Sequence, residues 1–535
     1  MYQQPLHPVA GSLALSAACA ALPLITLFVL LGVVRTRAWV AAFGALGVAV
    51  ALAWWLWRMP LSQTLLAAGQ GATFALFPLV WTFGTAIWIH RLTVHTGHFD
   101  ALRQGFARIS DDRRVQALVI AFCFGSLLEA LAGQGTPVAV TTVMLLALGF
   151  TPVRAATVAL AANTVPAAFG PLGLPITTLA GVTGLPATEL GMMAGRQVPV
   201  IALVVPLVLL VVVDGARGVR ELWRPALACG GAFAVAQFAT ANWLTAALAD
   251  ITAAFAGIGA LLLVTRLPAA RRRVPVAVGG GSPPPEPTPA RERQWRAYAP
   301  YLTIVVVFAV SQLPAVKQLL DAGTLAVSWP GLHVLTASGA PSALTTFRFA
   351  WLAAPGSLLL VAGLVTVALL RVPVRQAVRL YGLTLFELRW AVLTVVGLLA
   401  LSFTMNAAGH TATLGVWMAG AGGLFAVLSP VLGWLGVALT GSDTSSNSLF
   451  GALQVAAAQR AGLDPVLLAA ANASGGTLGK MISLQNLTIA AAAVGLNGRE
   501  GELLRRMFGW SVGLLALMCL LVGLQATPLL SWMVP

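Results

Sequence analysis

An all-α integral membrane protein is the fold class that this sequence predicts. The chain of 535 residues is 59% hydrophobic and only 9% charged, whereas a soluble domain carries about 25% charged residues. Several apolar runs, among them residues 12–34 and 226–249, approach or exceed the roughly 20 residues that cross hydrocarbon as a helix. These runs are continuous and lack the period-two alternation of membrane strands. We therefore expect about 12–14 spanning or half-spanning helices.

Basic residues indicate the orientation of these helices. The chain carries a net charge of +15, but its arginines lie mostly at the ends of apolar runs, where the positive-inside rule places them. This pattern argues against a nucleic-acid partner. Arg35 and Arg37 follow the first run, and Arg499, Arg505 and Arg506 precede the last one. Both termini are therefore expected outside a multi-pass protein of a bacterial-type inner membrane, with lipid around it.

One linker divides the chain into two halves. Residues 266–299 contain GGGSPPPEPTP, are rich in proline, glycine and arginine, and cannot form a core. We expect a membrane half at 1–265, a basic cytoplasmic linker at 266–299 and a second membrane half at 300–535. The sequence shows no metal-ligand spacing and no phosphate-binding loop, so neither a metal nor a cofactor is expected. It does not specify an oligomeric state.

The two halves share a pattern of polar, glycine-rich interruptions. Residues 133–175 begin with GQGTPVAV and residues 441–483 begin with GSDTSSNS. Each stretch then reaches a G-[FL]-x-P-V turn, an alanine-rich helix and an asparagine. Non-helical backbone at membrane depth is tolerated where it is buried or lines a cavity. The pairing predicts two inverted-topology repeats with broken or re-entrant helices around a transport site. The alternative is tight helix packing through small residues.

The same stretches resemble the lactate permease family. LLEALAGQGTPVAV at 127–140 and AANTVPAAFGPLGLP at 161–175 are similar to motifs of that family, as are LTGSDTSSNSLFGALQ at 439–454 and AAANASGGTLGKMIS at 469–483. The resemblance covers nearly the whole chain except residues 266–296. It implies a secondary transporter, not an enzyme, that takes up L-lactate, and D-lactate or glycolate, by proton symport.

A 2-hydroxy acid anion needs positive potential for its carboxylate, a partner for its hydroxyl and room for a short carbon chain. Half-helix N-termini offer free N–H groups and the positive end of a dipole. The expected substrate-binding residues are the small and polar ones of the two interruptions and one lysine: Gly135, Thr136, Asn163, Ser442, Thr444, Ser445, Asn447, Asn472 and Lys480. The alternatives are local capping for each small polar residue and an ammonium extended to the cytoplasmic interface for the lysine.

Three titratable residues are candidates for carrying the coupling proton. Glu129 precedes the first interruption and Asp443 lies in the second, and acids at membrane depth are functional candidates by default. His410 titrates in a suitable range and ranks third. The alternatives are an interfacial ion pair with a basic loop residue for Glu129, an N-cap for Asp443, and a packed, hydrogen-bonded side chain for His410.

Two other functions stay open at this point. Sodium sites use carbonyl, Asn and Ser oxygens, which this chain has in abundance, so a sodium-coupled carrier of small carboxylates is the first alternative. An anion channel is less favoured, because no ring of pore-lining residues is evident.

Overall fold

The computed structural model describes residues 1–34, 36–98, 110, 112–133, 135–266, 291–337, 339–342, 345–496 and 499–535. These residues are overwhelmingly helical, which confirms the predicted all-α class. In chain order the α-helices are Leu13–Phe28, Ala38–Trp55, Leu61–Phe74, Trp81–His95, Arg113–Ala117, Gly125–Leu131, Thr136–Ala147, Pro152–Ala162, Leu174–Thr183, Ala187–Trp243, Ala249–Arg266, Arg291–Ser311, Pro314–Ala322, Pro355–Leu369, Val374–Glu387, Arg389–Ala408, His410–Met418, Leu424–Thr440, Asp443–Ala461, Pro465–Gly479, Leu484–Ala493 and Glu500–Gln525.

Shorter elements extend or join these helices. Wider π-helical turns occur at Val29–Val33, Ala75–Val80 and Leu118–Phe124, and 3-10 turns at Val165–Ala168, Pro171–Gly173, Ala246–Leu248, Ala419–Ala421, Lys480–Ile482 and Ser531–Met533. Two small sheets complete the described part of the chain. Strand Tyr2–Gln3 pairs in parallel with Val334–Leu335, and Leu325–Ser328 pairs antiparallel with Thr346–Phe349.

The described residues contain nine helical stretches that are long and apolar enough to cross a membrane, or ten if the bent pair Leu302–Ser311 and Pro314–Ala322 is one span. Four shorter apolar helices accompany them: Thr136–Ala147, Pro152–Ala162, Pro355–Leu369 and Leu424–Thr440. Together they fall within the predicted range of spanning and half-spanning segments. The predicted linker at 266–299 lies largely outside the described residues, and a helix already begins at Arg291, within its bounds.

The bundle has two ends that can be told apart by their contacts. At the basic end, the Arg114 guanidinium bonds Asp214 at 2.9 Å and Glu221 at 2.8 Å. At the terminal end, the Tyr2 hydroxyl donates to the carbonyl of Ala408 at 2.8 Å. Close to the other terminus, Arg196 donates to the carbonyl of Met533 at 3.0 Å. Asn406, two residues before Ala408, donates to the carbonyl of Val182 at 3.4 Å, shortly before the helix of Arg196 begins. Both termini therefore lie towards the same end of the bundle, which we call the terminal end.

A first hairpin is formed by residues 113–149. Its arms are the continuous stretch Arg113–Leu131 and the helix Thr136–Ala147, and its tip is the glycine-rich turn around Gly135. A Cβ placed on Gly149 would lie 3.0 Å from the Arg113 guanidinium. Because the second arm ends beside the start of the first, the hairpin enters the bundle from the basic end and returns to it.

A second hairpin is formed by residues 424–461 and enters from the other side. Its arms, Leu424–Thr440 and Asp443–Ala461, meet at Gly441, whose φ of +76° is a left-handed conformation that suits glycine. A Cβ on Gly451 would contact Leu179 and Val182, which belong to the terminal end. The two hairpins therefore enter the bundle from opposite ends, and their relation as inverted repeats stays a prediction.

A broken span follows each hairpin. The first broken span consists of Pro152–Ala162 and Leu174–Thr183, separated by irregular backbone and 3-10 turns. The second consists of Pro465–Gly479 and Leu484–Ala493, separated by the 3-10 turn that begins at Lys480. The glycine-rich sequence predicts interruptions in both stretches, and the backbone is interrupted there.

Glycine allows the second hairpin and second broken span to cross closely. A Cβ on Gly433 would overlap main-chain atoms of Asn472, and a Cβ on Gly475 would overlap those of Pro430. Both glycines have negative φ, so close approach, not backbone conformation, requires them here. The second hairpin and the second broken span are therefore in main-chain contact at this crossing.

Candidate functional site: a buried ion pair at the floor of a cavity

A cavity of about 710 Å³ lies between the two sets of broken elements. Its mouth includes Arg37 and Trp390, which are exposed. Trp390 lies at the start of the helix Arg389–Ala408, and the other end of that helix contacts Tyr2 at the terminal end, so the mouth faces the basic end. Its floor includes Glu129, Asp443 and Lys480, which are 1%, 3% and 5% exposed. The remaining lining residues are Ala38, Trp39, Ala167, Gly170, Pro171, Leu174, Pro175, Ala391, Thr394, Val395, Thr440, Gly441, Ser442, Thr444, Ser445 and Gln485.

An ion pair between the two halves of the chain forms part of the floor. The Lys480 ammonium, at the break of the second broken span, donates a hydrogen bond to Oε1 of Glu129, near the tip of the first hairpin. The second carboxylate oxygen accepts from the Asn163 side-chain amide at 3.0 Å. Charges that are removed from water must be paired, and each member of this pair needs the other.

The ion pair decides two alternatives left open by the sequence. Lys480 does not extend to an interface, because its side chain is buried and its ammonium is held by Glu129. Glu129 does form an ion pair, but its partner is this buried lysine and not a basic loop residue at the membrane edge. Asn163, which was predicted to bind substrate, contacts the floor through Glu129 and does not itself line the cavity.

Asp443 begins the inner arm of the second hairpin without capping it. The cap is Ser442, whose hydroxyl accepts from the N–H of Ser445 at 3.3 Å, so the capping alternative for Asp443 is wrong. Neither Asp443 carboxylate oxygen has a hydrogen-bond partner within the described protein, and the charges of Lys480 and Glu129 act on it. A Cβ on Gly476 would occupy the space of this carboxylate.

The N-terminus of the helix Asp443–Ala461 gives the cavity a positive dipole end. The first N–H groups of a helix have no partner within it, and their dipoles favour anions by about 0.3–1 kcal/mol at exposed sites. Ser442, Thr444 and Ser445 line the cavity beside these groups. The hydroxyl-rich sequence therefore places several hydrogen-bonding groups within reach of one small anion.

Asn447 and Asn472 were predicted to bind substrate, but they lie in a buried hydrogen-bond chain behind the cavity. The Asn447 amide donates to the carbonyl of Pro175 at 3.1 Å, and Asn472 donates to Oδ1 of Asn447 at 2.9 Å. Gln454 donates to Oδ1 of Asn472 at 3.3 Å. These bonds join the two broken spans and the second hairpin. Sequence cannot reveal this, because it does not give the rotation of an apolar helix.

Gly135 and Thr136 also lie away from the main cavity. Gly135 is buried beside Ile489. Thr136 lines a separate cavity of about 430 Å³, which also includes His90 and Arg91. Gly135 and Thr136 therefore pack against neighbouring helices, and among the described residues of this hairpin Glu129 is the one that lines the main cavity.

His410 is remote from the ion pair in the fold. It begins a helix at the terminal end, and its ring packs edge-on against Trp57 with centroids 4.2 Å apart. Neither ring nitrogen has a hydrogen-bond partner among the described residues. The alternative of a packed side chain is therefore correct, but the hydrogen bonds expected with it are not present in that part of the chain.

Asp250 is a buried acid that sequence analysis did not select. It is 1% exposed, and its Oδ1 accepts from Nε2 of Gln237 at 2.8 Å. The signal was available, because Asp250 is an acid between two long apolar runs and acids at membrane depth are costly. Within the described residues, no group of three or more His, Cys, Asp or Glu is arranged to hold a metal ion.

Opposed hairpins, broken spans and buried charges at a cavity floor define a membrane transport protein. The chain belongs to the L-lactate permease family, whose sequence profile matches residues 16–529. An L-lactate permease of Bacillus subtilis is 36% identical over all of both chains. The glycolate permease GlcA of Escherichia coli is 39% identical over 92% of this chain and 93% of its own. Like these permeases, the chain is a transporter and not an enzyme.

A solved transporter structure is also weakly similar. The YdaH transporter of Alcanivorax borkumensis matches with a TM-score of 0.45 and 16% identity, over 85% of this chain and 86% of that one.

Proposed function

We propose that this permease takes up L-lactate, and also D-lactate or glycolate, together with a proton across the inner membrane. The observation that carries the proposal is the buried Lys480–Glu129 pair at the floor of a cavity that opens to one end. The substrates are suggested by the relatives, which are an L-lactate permease and a glycolate permease.

The substrate carboxylate would bind at the floor, between Lys480 and the N-terminus of the helix Asp443–Ala461. An ammonium supplies a compact positive charge, and the helix supplies N–H groups and a dipole. Ser442, Thr444 and Ser445 offer hydroxyls to the 2-hydroxy group. Of the residues first expected to bind substrate, these three and Lys480 are the ones that line the cavity.

Competition for one ammonium explains coupling to a proton. In this structure Lys480 is held by Glu129. An incoming carboxylate needs that same charge, and two carboxylates cannot share it without leaving a buried negative charge unbalanced. A proton on Glu129 neutralises its carboxylate, so that Lys480 becomes available to the substrate. Asp443 is a second acid within the same field and a further candidate for carrying the proton.

Cotransport of one proton also balances the charge that crosses the membrane. Moving one anion into a cell that is negative inside costs about 2.3 kcal/mol per 100 mV, and a proton that travels with it cancels this cost. The positive-inside rule puts the basic end in the cytoplasm. The cavity, which opens at that end, would then belong to the inward-facing state.

The test is uptake of labelled L-lactate into proteoliposomes. We expect accumulation above the external concentration when the outside is acidic, no accumulation at equal pH, and the same result in sodium-free buffer. Accumulation that follows a sodium gradient at equal pH would favour the sodium-coupled carrier. Uptake that never exceeds the external concentration under either gradient would favour the channel.

A further inference from the structure

Asp250 and Gln237 form a buried acid–amide pair one layer behind the cavity floor. Asp250 lies in the first turn of the helix Ala249–Arg266, and Gln237 lies on the long helix Ala187–Trp243 that precedes it. Gln237 is 0% exposed, Asp250 is 1% exposed, and a hydrogen bond of 2.8 Å joins them. The helix of Asp250 packs against the arm of the first hairpin that carries Glu129.

This pair lacks one hydrogen-bond donor. The second carboxylate oxygen of Asp250 and the amide oxygen of Gln237 are both buried, and neither has a partner among the described residues. Both atoms only accept hydrogen bonds while the carboxyl is ionised. A proton on Asp250 turns one acceptor into a donor and lets the acid donate to the Gln237 carbonyl. A primary amide carries a donor and an acceptor, so Gln237 can serve both protonation states of its neighbour.

Asp250 interacts electrostatically with the ion pair. From the elements around its helix, the charges of Glu129 and Lys480 act on it, and the thiols of Cys123 and Cys229 lie two turns further along, beside Gly257. Three buried acids, Asp250, Glu129 and Asp443, thus share the field of one lysine. Full ionisation would leave this region with an excess of negative charge, which burial opposes.

We propose that Asp250 is a further proton-binding group of the transport cycle, which is loaded when a substrate carboxylate takes the place of Glu129 on Lys480. The proposal rests on the proposed function. An additional anion at the floor increases the negative charge there, and proton uptake by a neighbouring carboxyl offsets it. Asp250 is better suited to bind this proton than Asp443. Gln237 can form a hydrogen bond with both the ionised and the protonated carboxyl of Asp250, whereas Asp443 has no hydrogen-bond partner in the described protein.

The test compares the wild type with Asp250→Asn in two assays. One is lactate–lactate exchange at equal pH, which needs binding and alternating access but no net proton movement. The other is accumulation driven by an acidic exterior. We expect Asp250→Asn to retain exchange and to accumulate less label than the wild type under the same pH gradient, because only Glu129 then binds a proton in response to the substrate. Accumulation like the wild type, with an unchanged pH profile, would overturn the proposal.

A second variant keeps the proposal testable if Asp250→Asn does not fold. Gln237→Leu retains the acid and removes its amide partner, so we expect accumulation with a displaced pH profile. The matched control is Gln197→Leu, which removes another buried amide of the same long helix, one that bonds Gln525 at 3.1 Å. A Gln237→Leu profile like that of the control would overturn the proposal. If the wild type itself did not accumulate lactate, the proposed function would fail instead.

Discussion

Lys480 donates a hydrogen bond to Glu129, a residue 351 positions away in the chain, and both side chains are buried. The pair brings the first hairpin and the second broken span together at one point. At this buried position the two side chains are stable either as an ion pair or when both are neutral. Binding of an anion and binding of a proton are therefore connected through a single contact.

A variant without the Lys480 charge tests whether this lysine binds the substrate carboxylate. Lys480→Ala deprives a carboxylate of a charged hydrogen bond, which is worth about 1.5–3 kcal/mol or roughly 10–100-fold in affinity. We expect L-lactate uptake to fall by at least the lower of these factors. Lys317→Ala, at the other lysine of the chain, which is exposed, is the matched control. Equal uptake by the two variants would contradict a role of Lys480 in substrate binding.

The pair also makes a stability prediction. Lys480→Met leaves Glu129 buried without a cation, and loss of one partner of a buried pair costs about 3–5 kcal/mol. The double variant Lys480→Met with Glu129→Gln removes both charges and should recover most of that stability without recovering uptake. Thermal unfolding in detergent measures the first effect and proteoliposome uptake the second. A double variant as unstable as Lys480→Met would contradict the buried ion pair.

Glu129→Gln should separate exchange from accumulation. The amide resembles the protonated acid, so Lys480 stays available to substrate and lactate–lactate exchange at equal pH should persist. Accumulation driven by an acidic exterior should be lost, because position 129 can no longer release a proton. If this variant accumulates lactate as the wild type does, the coupling proton is not carried here.

Asp443→Asn examines the remaining acid of the floor. Asparagine preserves the size of the side chain, and the cap provided by Ser442 is unaffected, so the helix should form. We expect stimulation of uptake by external acid to be weakened but not abolished, because one buried acid is removed and Glu129 can still bind a proton. Asp321→Asn, a change at an exposed acid, serves as the control. Stimulation equal to that of the control would show that Asp443 takes no part in coupling.

Gly475 provides a prediction about the helix crossing. In Gly475→Ala the new methyl group meets the Cα of Pro430 at 2.6 Å, and overpacking of this kind costs about 1–3 kcal/mol or more. Gly509→Ala is the control, because nothing lies within 4 Å of the corresponding position. The first variant should unfold at a lower temperature and the second should match or exceed the wild type. Equal melting temperatures would contradict the close crossing.

The sequence predicted the interruptions well and their partners less well. Glycine, proline and hydroxyl residues disturb a helix locally, so the breaks near 133–135, 163–173, 441–442 and 480–483 were visible in composition alone. The role of Asn472 was not visible in composition. Its amide donates to Asn447 inside the bundle, and this contact depends on the rotation of the helix about its axis. Asp250 was missed because its depth depends on packing against the first hairpin.

By itself, the sequence determined the membrane class, the family and the positions of the breaks, because hydropathy, motif and backbone preference are properties of short segments. Only the tertiary structure decided that Lys480 meets Glu129, that Ser442 rather than Asp443 caps its helix, and that His410 lies away from the cavity. In a chain that is apolar on nearly every face, hydropathy does not set helix rotation. The rotation follows from close packing and from the pairing of a few buried polar groups.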